Sequence, residues 1–283
     1  MRSQTAGFGP VDALARALAA ELPEVDPARL RAALERATAR LASAALDTAG
    51  HRLVASELDR AAATEERSER ARILRELADQ LESRRDADRA LVVRLAAFAE
   101  LPAAADIDAL LRLGRITQRW AELPLDELLA RVAPGGAGAD DSVRQLGELA
   151  AAWRELGHGY RAADCLERVL AIAPTDDAAH DALEVFYRSE REWPALVELL
   201  GRKIVHAPEY ERPELWRELA LIHERELGDD AGALDAYREA DRLAPDHLDV
   251  LDAIARLELR LGGADGGALA ALERLAGRLA EPA

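Results

Sequence analysis

A recurrence with a period near 72 residues limits the folds open to this chain. Leu74, Leu77, Ala78, Leu81, Ala90 and Pro102 stand at the same mutual spacings as Leu146, Leu149, Ala150, Trp153, Ala162 and Pro174. The set returns as Trp216, Leu219, Ala220, His223, Ala233, Tyr237 and Pro245, with one extra residue in the turn before Gly228. The three prolines lie 72 and 71 residues apart (174 − 102 and 245 − 174), about two copies of a ~34-residue unit. A sequence with this pattern builds neighbouring units that resemble one another.

The best-defined copy, Val143 to Asp176, shows what one unit is. Leu146, Leu149, Ala150 and Trp153 share one face of a first helix, and Ala162, Leu166 and Val169 share one face of a second. Gly157 stands where a helix ends in a left-handed residue, which costs glycine little. Pro174 ends the second helix, since it has no N–H and its ring clashes with the preceding turn. Neither helix can bury its stripe alone, so the hairpin needs neighbours. Partner hairpins lie between the copies. Asp108–Ala109–Leu110 corresponds to Asp181–Ala182–Leu183, and Arg119 to Leu123 corresponds to Glu192 to Leu196. The last hairpin, Leu248 to Ala280, keeps Leu251, Ile254, Ala255 and Leu261, and its turn is loosened by Gly262, Gly263, Gly266 and Gly267.

These residues carry a resemblance to the tetratricopeptide (TPR) repeat family, whose signature is W-x2-L-G-x2-Y, then A-x3-F, then P. Trp216-x2-Leu219-Ala220-x2-His223 with Ala233-x3-Tyr237 matches it, as does Leu146-x2-Leu149-Ala150-x2-Trp153 with Ala162-x3-Leu166. The earliest copy departs at Arg94, where the pattern wants a large apolar residue. The resemblance covers residues 71–283. It implies an all-α, right-handed α-solenoid of helical hairpins with a concave face, about six hairpins at 71–104, 105–137, 143–176, 177–211, 214–247 and 248–281. Ala78, Ala150 and Ala220, with Ala90, Ala162 and Ala233, are small where the two helices of a hairpin approach closely.

Residues 1–63 have no counterpart downstream and read as a helical cap or docking region, followed by the array over 64–283. After a frayed tail over 1–10, Val11 to Leu22 forms a short helix. Asp26–Pro27 starts a long one, through an N-cap Asp and a Pro at the first helical position, running to about Thr48 with Gly50 as its C-cap. A third helix spans about His51 to Ala63. Strand signals are absent, with no alternating Val/Ile/Thr runs.

Composition narrows the partners. The formal net charge of −16 makes a polyanion a poor partner, and nucleic-acid binding would leave a basic footprint that is not seen. Lys203 is the only lysine and there is no Asn, a bias that a bacterial high-GC composition produces. Cys165 is the only cysteine, so no intrachain disulfide forms. The N-terminal stretch is interrupted by Asp12 and Arg16 and falls short of the ~18 apolar residues of a spanning helix. No membrane contact is expected, and cytoplasmic is the default location.

No catalytic, metal-ligating or cofactor-binding set is identified. The acidic pairs Asp140–Asp141, Asp176–Asp177 and Asp229–Asp230 each precede a helix and read as caps, without DDxxD or EF-hand spacing. None of His51, His158, His180, His206, His223 and His247 forms HExxH or an i, i+4 pair. Cys165 reads as a small packing residue. Pro134 to Gly138 lacks the Lys and Ser/Thr of a phosphate loop and reads as a linker. Trp153 and Trp216 read as core, and Trp120 and Trp193 as plugs between units.

What remains is the concave face, which the resemblance assigns mainly to the first helix of each hairpin. By register it holds Arg72, Arg75 and Asp79, then Arg144, Glu148 and Ala151, then Arg217, Glu218 and Leu221. The competing reading is that these are solvated positions paired at i, i+4, as in Arg75–Asp79. Arg75 and Arg217 occupy one repeat position, each following its anchor (Leu74, Trp216), and are expected to face the groove with little effect on stability. The Lys/Asn clamp by which some TPR proteins hold a peptide carboxylate cannot be built here. The sequence therefore reads as a non-enzymatic interaction scaffold for a partner peptide or helix that mixes acidic and apolar residues. The alternative is a regulatory helical module that binds a small ligand or signalling peptide. A hydrolase or lyase is disfavoured, since no acid/base pair emerges. The oligomeric state is not legible.

Overall fold

A computed structural model describes residues 48–132, 138–245, 247–262 and 267–280. Among them are thirteen α-helices and no strand. They are α1 Thr48–Ala62, α2 Arg67–Ser83, α3 Ala87–Glu100, α4 Ala104–Thr117, α5 Leu125–Arg131, α6 Ala139–Glu155 and α7 Gly159–Ile172. There follow α8 Asp177–Glu190, α9 Trp193–His206, α10 Arg212–Ile222, α11 Asp230–Leu243, α12 Leu248–Arg260 and α13 Gly267–Ala280. The chain divides after Ala162, inside α7, into two compact units.

In the first unit, α2 and α3 form a hairpin joined by a turn at residues 84–86. Asp86 caps α3, its carboxylate accepting from the Arg89 amide at 3.3 Å. Leu74, Leu77, Ala78 and Leu81 of α2 are buried against Ala90, Leu91 and Ala97 of α3. Burying each leucine contributes about 1.5–3 kcal/mol. α1 packs on α2, α3 on α4, and α4 on α6, so each hairpin touches its chain neighbours within the unit. The hairpin α4–α5 is irregular, with a 3-10 turn at Trp120–Glu122 and only seven residues in α5. Gly114 explains the tight turn. A Cβ there would stand 2.8 Å from the Trp120 ring and 2.7 Å from Leu123, so only glycine lets the indole close onto α4.

The second unit repeats the arrangement with the hairpins α8–α9, α10–α11 and α12–α13, each resting on the next. Asp176 caps α8 by accepting from the Ala179 amide at 2.8 Å, and Asp229 caps α11 by accepting from Gly232 at 2.9 Å. Pro194 and Pro213 sit in the first turns of α9 and α10, where a missing N–H costs nothing. The extra residue before Gly228 has a structural counterpart. α10 is extended by a π-helical turn, His223–Leu227, closed by the Asp229 amide donating to the His223 carbonyl at 2.8 Å.

The recurrence stands out in the core. Ala78, Ala90, Ala150, Ala162, Ala220 and Ala233 are all buried. Gly157 is left-handed at φ 79°, and the His158 amide reaches back to the Trp153 carbonyl at 2.8 Å. Three expectations are corrected. Gly50 is not a C-cap, since α1 starts at Thr48 and runs through it. Asp140 and Asp141 do not precede α6 but lie in its first turn, because the helix starts at Ala139. There they complement the helix dipole instead of capping. Trp120 is buried, whereas its counterpart Trp193 and the signature residue Trp216 are only half-buried. The helices expected over Val11–Leu22 and 26–48, and all but Gly138 of the glycine-rich linker, lie outside the described residues.

Candidate functional site

The first-helix positions expected to face a partner follow from the repeat register. Five residues after each anchor (Leu74, Leu146, His180, Trp216) stand Asp79, Ala151, Val185 and Leu221. All four lie on first helices, and none belongs to the buried core. Val185 is 70% exposed, the most open of the larger apolar side chains on these helices. Neither it nor Arg188, three residues on, was singled out in the sequence. The hairpin at 177–211 matches the signature loosely, and the register alone would have found both.

In the first unit the arginines are consumed internally. Arg72 is half-exposed and pairs with Glu69 and Glu76, one turn away on either side. Arg75 does not stand free. Its Nε donates to both Asp106 oxygens at 3.0 and 3.1 Å, and one terminal nitrogen donates to Asp106 at 2.8 Å and to the Leu101 carbonyl. Asp106 is fully buried and also accepts from the Ala103 amide at 3.1 Å. The expected Arg75–Asp79 pair is replaced by an Asp79–Arg94 pair.

Arg94 is the residue that breaks the repeat pattern, and it is buried at 4% exposure. It reaches Asp106 at 3.4 Å and Glu82 at 3.7 Å, and Arg112 closes the network on Glu82 at 2.7 Å. An arginine can occupy a slot for an apolar side chain only because carboxylates meet it there. Reversing Arg75 to Glu would put a second anion beside a buried one. The expectation that this substitution leaves stability unchanged is corrected. Further along, Arg144 is half-exposed and donates to Asp108 and Asp141 at 2.9 and 3.1 Å. These two carboxylates hold the Arg144 guanidinium above its ordinary value by hydrogen bonds. Glu148 is mostly buried, 3.6 Å from Arg115 and 4.0 Å from Arg144.

In the second unit Arg217 donates to Glu214 at 2.6 Å and lies 3.8 Å from Asp249. Glu218 pairs with Arg188. Burial raises its carboxyl above the ordinary range, and neighbouring Glu184 adds to this, outweighing the pull of Arg188. Arg217 and Glu218 of α10 therefore sit among charges of both signs, with Glu218 tied to Arg188 of α8. Glu224 is the other acidic hub. Burial alone would raise it, but hydrogen bonds from Arg256 and Arg260 hold it below its ordinary value.

The remaining candidates are structural. His223 is 2.9 Å from Asp229, the cap of α11, and His158 meets Trp153 edge to face at 5.4 Å. Cys165 is buried. Among the described residues no three His, Cys, Asp or Glu side chains stand together as a metal site, and no helix is long and apolar enough to cross a membrane.

The recurring hairpins define an all-α helical-repeat protein. No family model matches the sequence, and no curated protein matches it. Similar solved structures are of a protein named MamA. One, MamA AMB-1, has 18% identity over 76% of this chain and 95% of that one, with a TM-score of 0.37. Another crystal form of it has 23% identity over 60% of this chain and 95% of that one, with a TM-score of 0.33. MamA 41-end from Desulfovibrio magneticus RS-1 has 14% identity over 74% and 93%, with a TM-score of 0.33. The fold described above rests on this chain's own helices.

Proposed function

We propose that this protein is a non-enzymatic interaction scaffold, whose first-helix faces hold a peptide or helix of a partner protein within each unit. The observation that carries the reading is the recurrence of one unburied position on first helices, Asp79 of α2 and Ala151 of α6 in the first unit, and Val185 of α8 and Leu221 of α10 in the second. Positions the core does not use, recurring at one place in the hairpin, give each unit a surface suited to a partner segment. Arg72, Arg144, Arg217 and Glu218 flank these positions as the polar rim. Arg75 and Glu148 serve from behind, holding the helices that carry the face. The partner segment would combine apolar residues with acidic ones, matching aliphatic side chains set among arginines.

The test places a photo-crosslinking residue at single positions in the intact chain, in native lysate. Adducts to one protein from Ala151, Val185 and Leu221, with none from Glu239 on a second helix, are expected. Adducts from Glu239 alone would place the partner on the opposite face and end this reading.

A further inference from the structure

The arginines of the first-helix faces are tied to carboxylates of this chain, but a separate set is not. Among the described residues, the side chains of Arg84, Arg85, Arg154, Arg191 and Arg225 make no hydrogen bond or ion pair, and each is exposed. They share one place in the hairpin. Arg84 and Arg85 follow α2, Arg154 lies in the last turn of α6, Arg191 follows α8, and Arg225 lies in the π turn that extends α10. In each unit the unpaired guanidinium groups stand where a first helix gives way to its second.

The fold does not call for them there. Arg85 and Arg191 are left-handed at φ 63° and 60°, in turns where the hairpins α6–α7, α10–α11 and α12–α13 have Gly157, Gly228 and Gly262. Glycine fits that backbone without the steric penalty an arginine carries. Gln118, the other non-glycine residue in this conformation among the described residues, donates its side-chain amide to the Arg115 carbonyl at 2.8 Å and so serves the end of α4. Arg85 and Arg191 have no such role. Around Arg84 and Arg85 the acids are already taken, Asp86 by Arg89 at 2.7 Å, Asp88 by Arg119 at 3.2 Å and Glu82 by Arg112 at 2.7 Å. Beside Arg225, Arg260 holds Asp230 at 2.9 Å and Glu224 at 3.0 Å. Glu155, Glu190 and Glu226 adjoin free arginines in sequence, but adjacent helical positions do not face each other and no pair forms.

These arginines adjoin the faces described above. Each lies three to six residues beyond the unburied position of its own helix (Asp79, Ala151, Val185 or Leu221), roughly 5–9 Å along the axis. Arg154 and Arg225, three and four residues on, share a side of their helix with Ala151 and Leu221. We propose that the free arginines take carboxylates of the partner segment, which lies on a unit with its apolar residues at the first-helix positions and its acidic residues at the turn-side end. This rests on the scaffold reading and adds its anion site and its direction. No internal ion pair is broken when a carboxylate arrives, in contrast to Arg72, Arg144 and Arg217, and each guanidinium presents paired N–H groups that match one carboxylate. A nucleic acid would also bring anions, but its length would meet the net charge of −16.

The probes are two fluorescently labelled peptides, acetyl-Ala-Leu-Ala-Leu-Glu-Glu-Glu-amide and its counterpart ending in Gln-Gln-Gln, titrated into the full chain by anisotropy. Exposed ion pairs are individually weak, and a few acting together correspond to about a 3- to 10-fold preference for the glutamate peptide. A variant carrying Arg84→Gln, Arg85→Gly, Arg154→Gln, Arg191→Gly and Arg225→Gln should lose the preference and melt no lower than the parent, because glycine suits both left-handed sites. Arg84→Gln with Arg85→Gly, at one turn, should lower the preference by itself. Arg242→Gln, at an exposed arginine of α11 paired with Glu239, should leave it intact. Equal binding of the two peptides, binding of neither, a preference that survives the five changes, or displacement of the glutamate peptide by oligothymidylate would each overturn the proposal. Crosslinks at Ala151, Val185 and Leu221 without a glutamate preference remove only the arginine assignment. A glutamate preference without those crosslinks removes the scaffold reading and leaves a carboxylate site alone.

Discussion

Asp106→Ala is the substitution that most directly tests the ion network of the first unit. Asp106 has no exposed surface and neutralises Arg94, itself 4% exposed, together with the partly exposed Arg75. Removing one member of a buried charge pair typically costs ~3–5 kcal/mol, because the other charge stays in low dielectric. Two features move the expectation within that range. Arg94 keeps Asp79 and Glu82, but Asp79 is 64% exposed and its attraction is screened. The Ala103 amide also loses its acceptor at the start of α4, an effect of about 1 kcal/mol in capping studies. A loss of about 3–4 kcal/mol is expected, which corresponds to a fall in melting temperature of about 6–16 °C at ~2–4 °C per kcal/mol. Urea unfolding followed by far-UV circular dichroism measures it, with Arg72→Ala as the control. Arg72 is half-exposed and paired with glutamates of its own helix, so its removal should leave the urea midpoint close to the parent's. The combined change Arg75→Met, Arg94→Leu and Asp106→Leu should recover most of the loss, since an apolar set of similar volume is often no worse than a buried ion cluster. If Asp106→Ala costs under about 1 kcal/mol, the network contributes little and Arg94 must be solvated.

Ala150→Leu should lower stability by about 1–3 kcal/mol in the same assay, because the residue is 5% exposed and a larger side chain overpacks a buried site. A variant that unfolds like the parent would refute the hairpin register. Gly114→Ala should destabilise and shift the Trp120 fluorescence. Glycine to alanine in an open helix position normally gains about 0.5–1 kcal/mol, so a gain would show that the indole does not close on α4. Glu224 and Glu167 are held below their ordinary value of 4.5, so the stability they confer is present above that pH and fades as acid protonates them. Glu218 is raised, so it opposes this trend by favouring the folded state once protonated. A urea midpoint in Arg256→Met that falls as steeply below pH 4.5 as in the parent would refute the assigned role of Glu224.

The all-α class and the burial of the recurring alanines were legible because they depend on apolar spacing, which a sequence displays directly. Even the inserted residue before Gly228 was visible, although its π turn was not, since insertion shows in register and geometry does not. The charge network was not legible. Arg94 registered only as a departure from the pattern, because its partner Asp106 lies twelve residues away on another helix and Asp79 fifteen residues back. Spacing rules see i, i+4 pairs, and so paired Arg75 with Asp79 when tertiary packing had given it a buried carboxylate. Val185 was missed for a related reason, since its hairpin carries His180 where the signature wants a large apolar anchor.

The internal pairing of the arginines also bears on what a partner can gain from them. Arg72, Arg144, Arg188 and Arg217 each already hold one or more carboxylates of this chain. A partner carboxylate would exchange one half-exposed ion pair for another, and such pairs differ by about 0–1 kcal/mol. On the proposed reading, binding energy would come from apolar contacts at Ala151, Val185 and Leu221, with the arginines excluding wrong partners and fixing register. This separates two kinds of interface. A partner held by net charge would face the overall −16 of this chain and bind more weakly as salt is lowered unless it were basic. A partner held at the apolar positions should bind with an affinity that changes less than about tenfold between low and physiological salt, and should lose most of it in Val185→Asp with Leu221→Asp. Isothermal titration at two salt concentrations with the crosslinked partner distinguishes them. A steep salt dependence with indifference to the two aspartates would mean that the recurring position is only solvated surface.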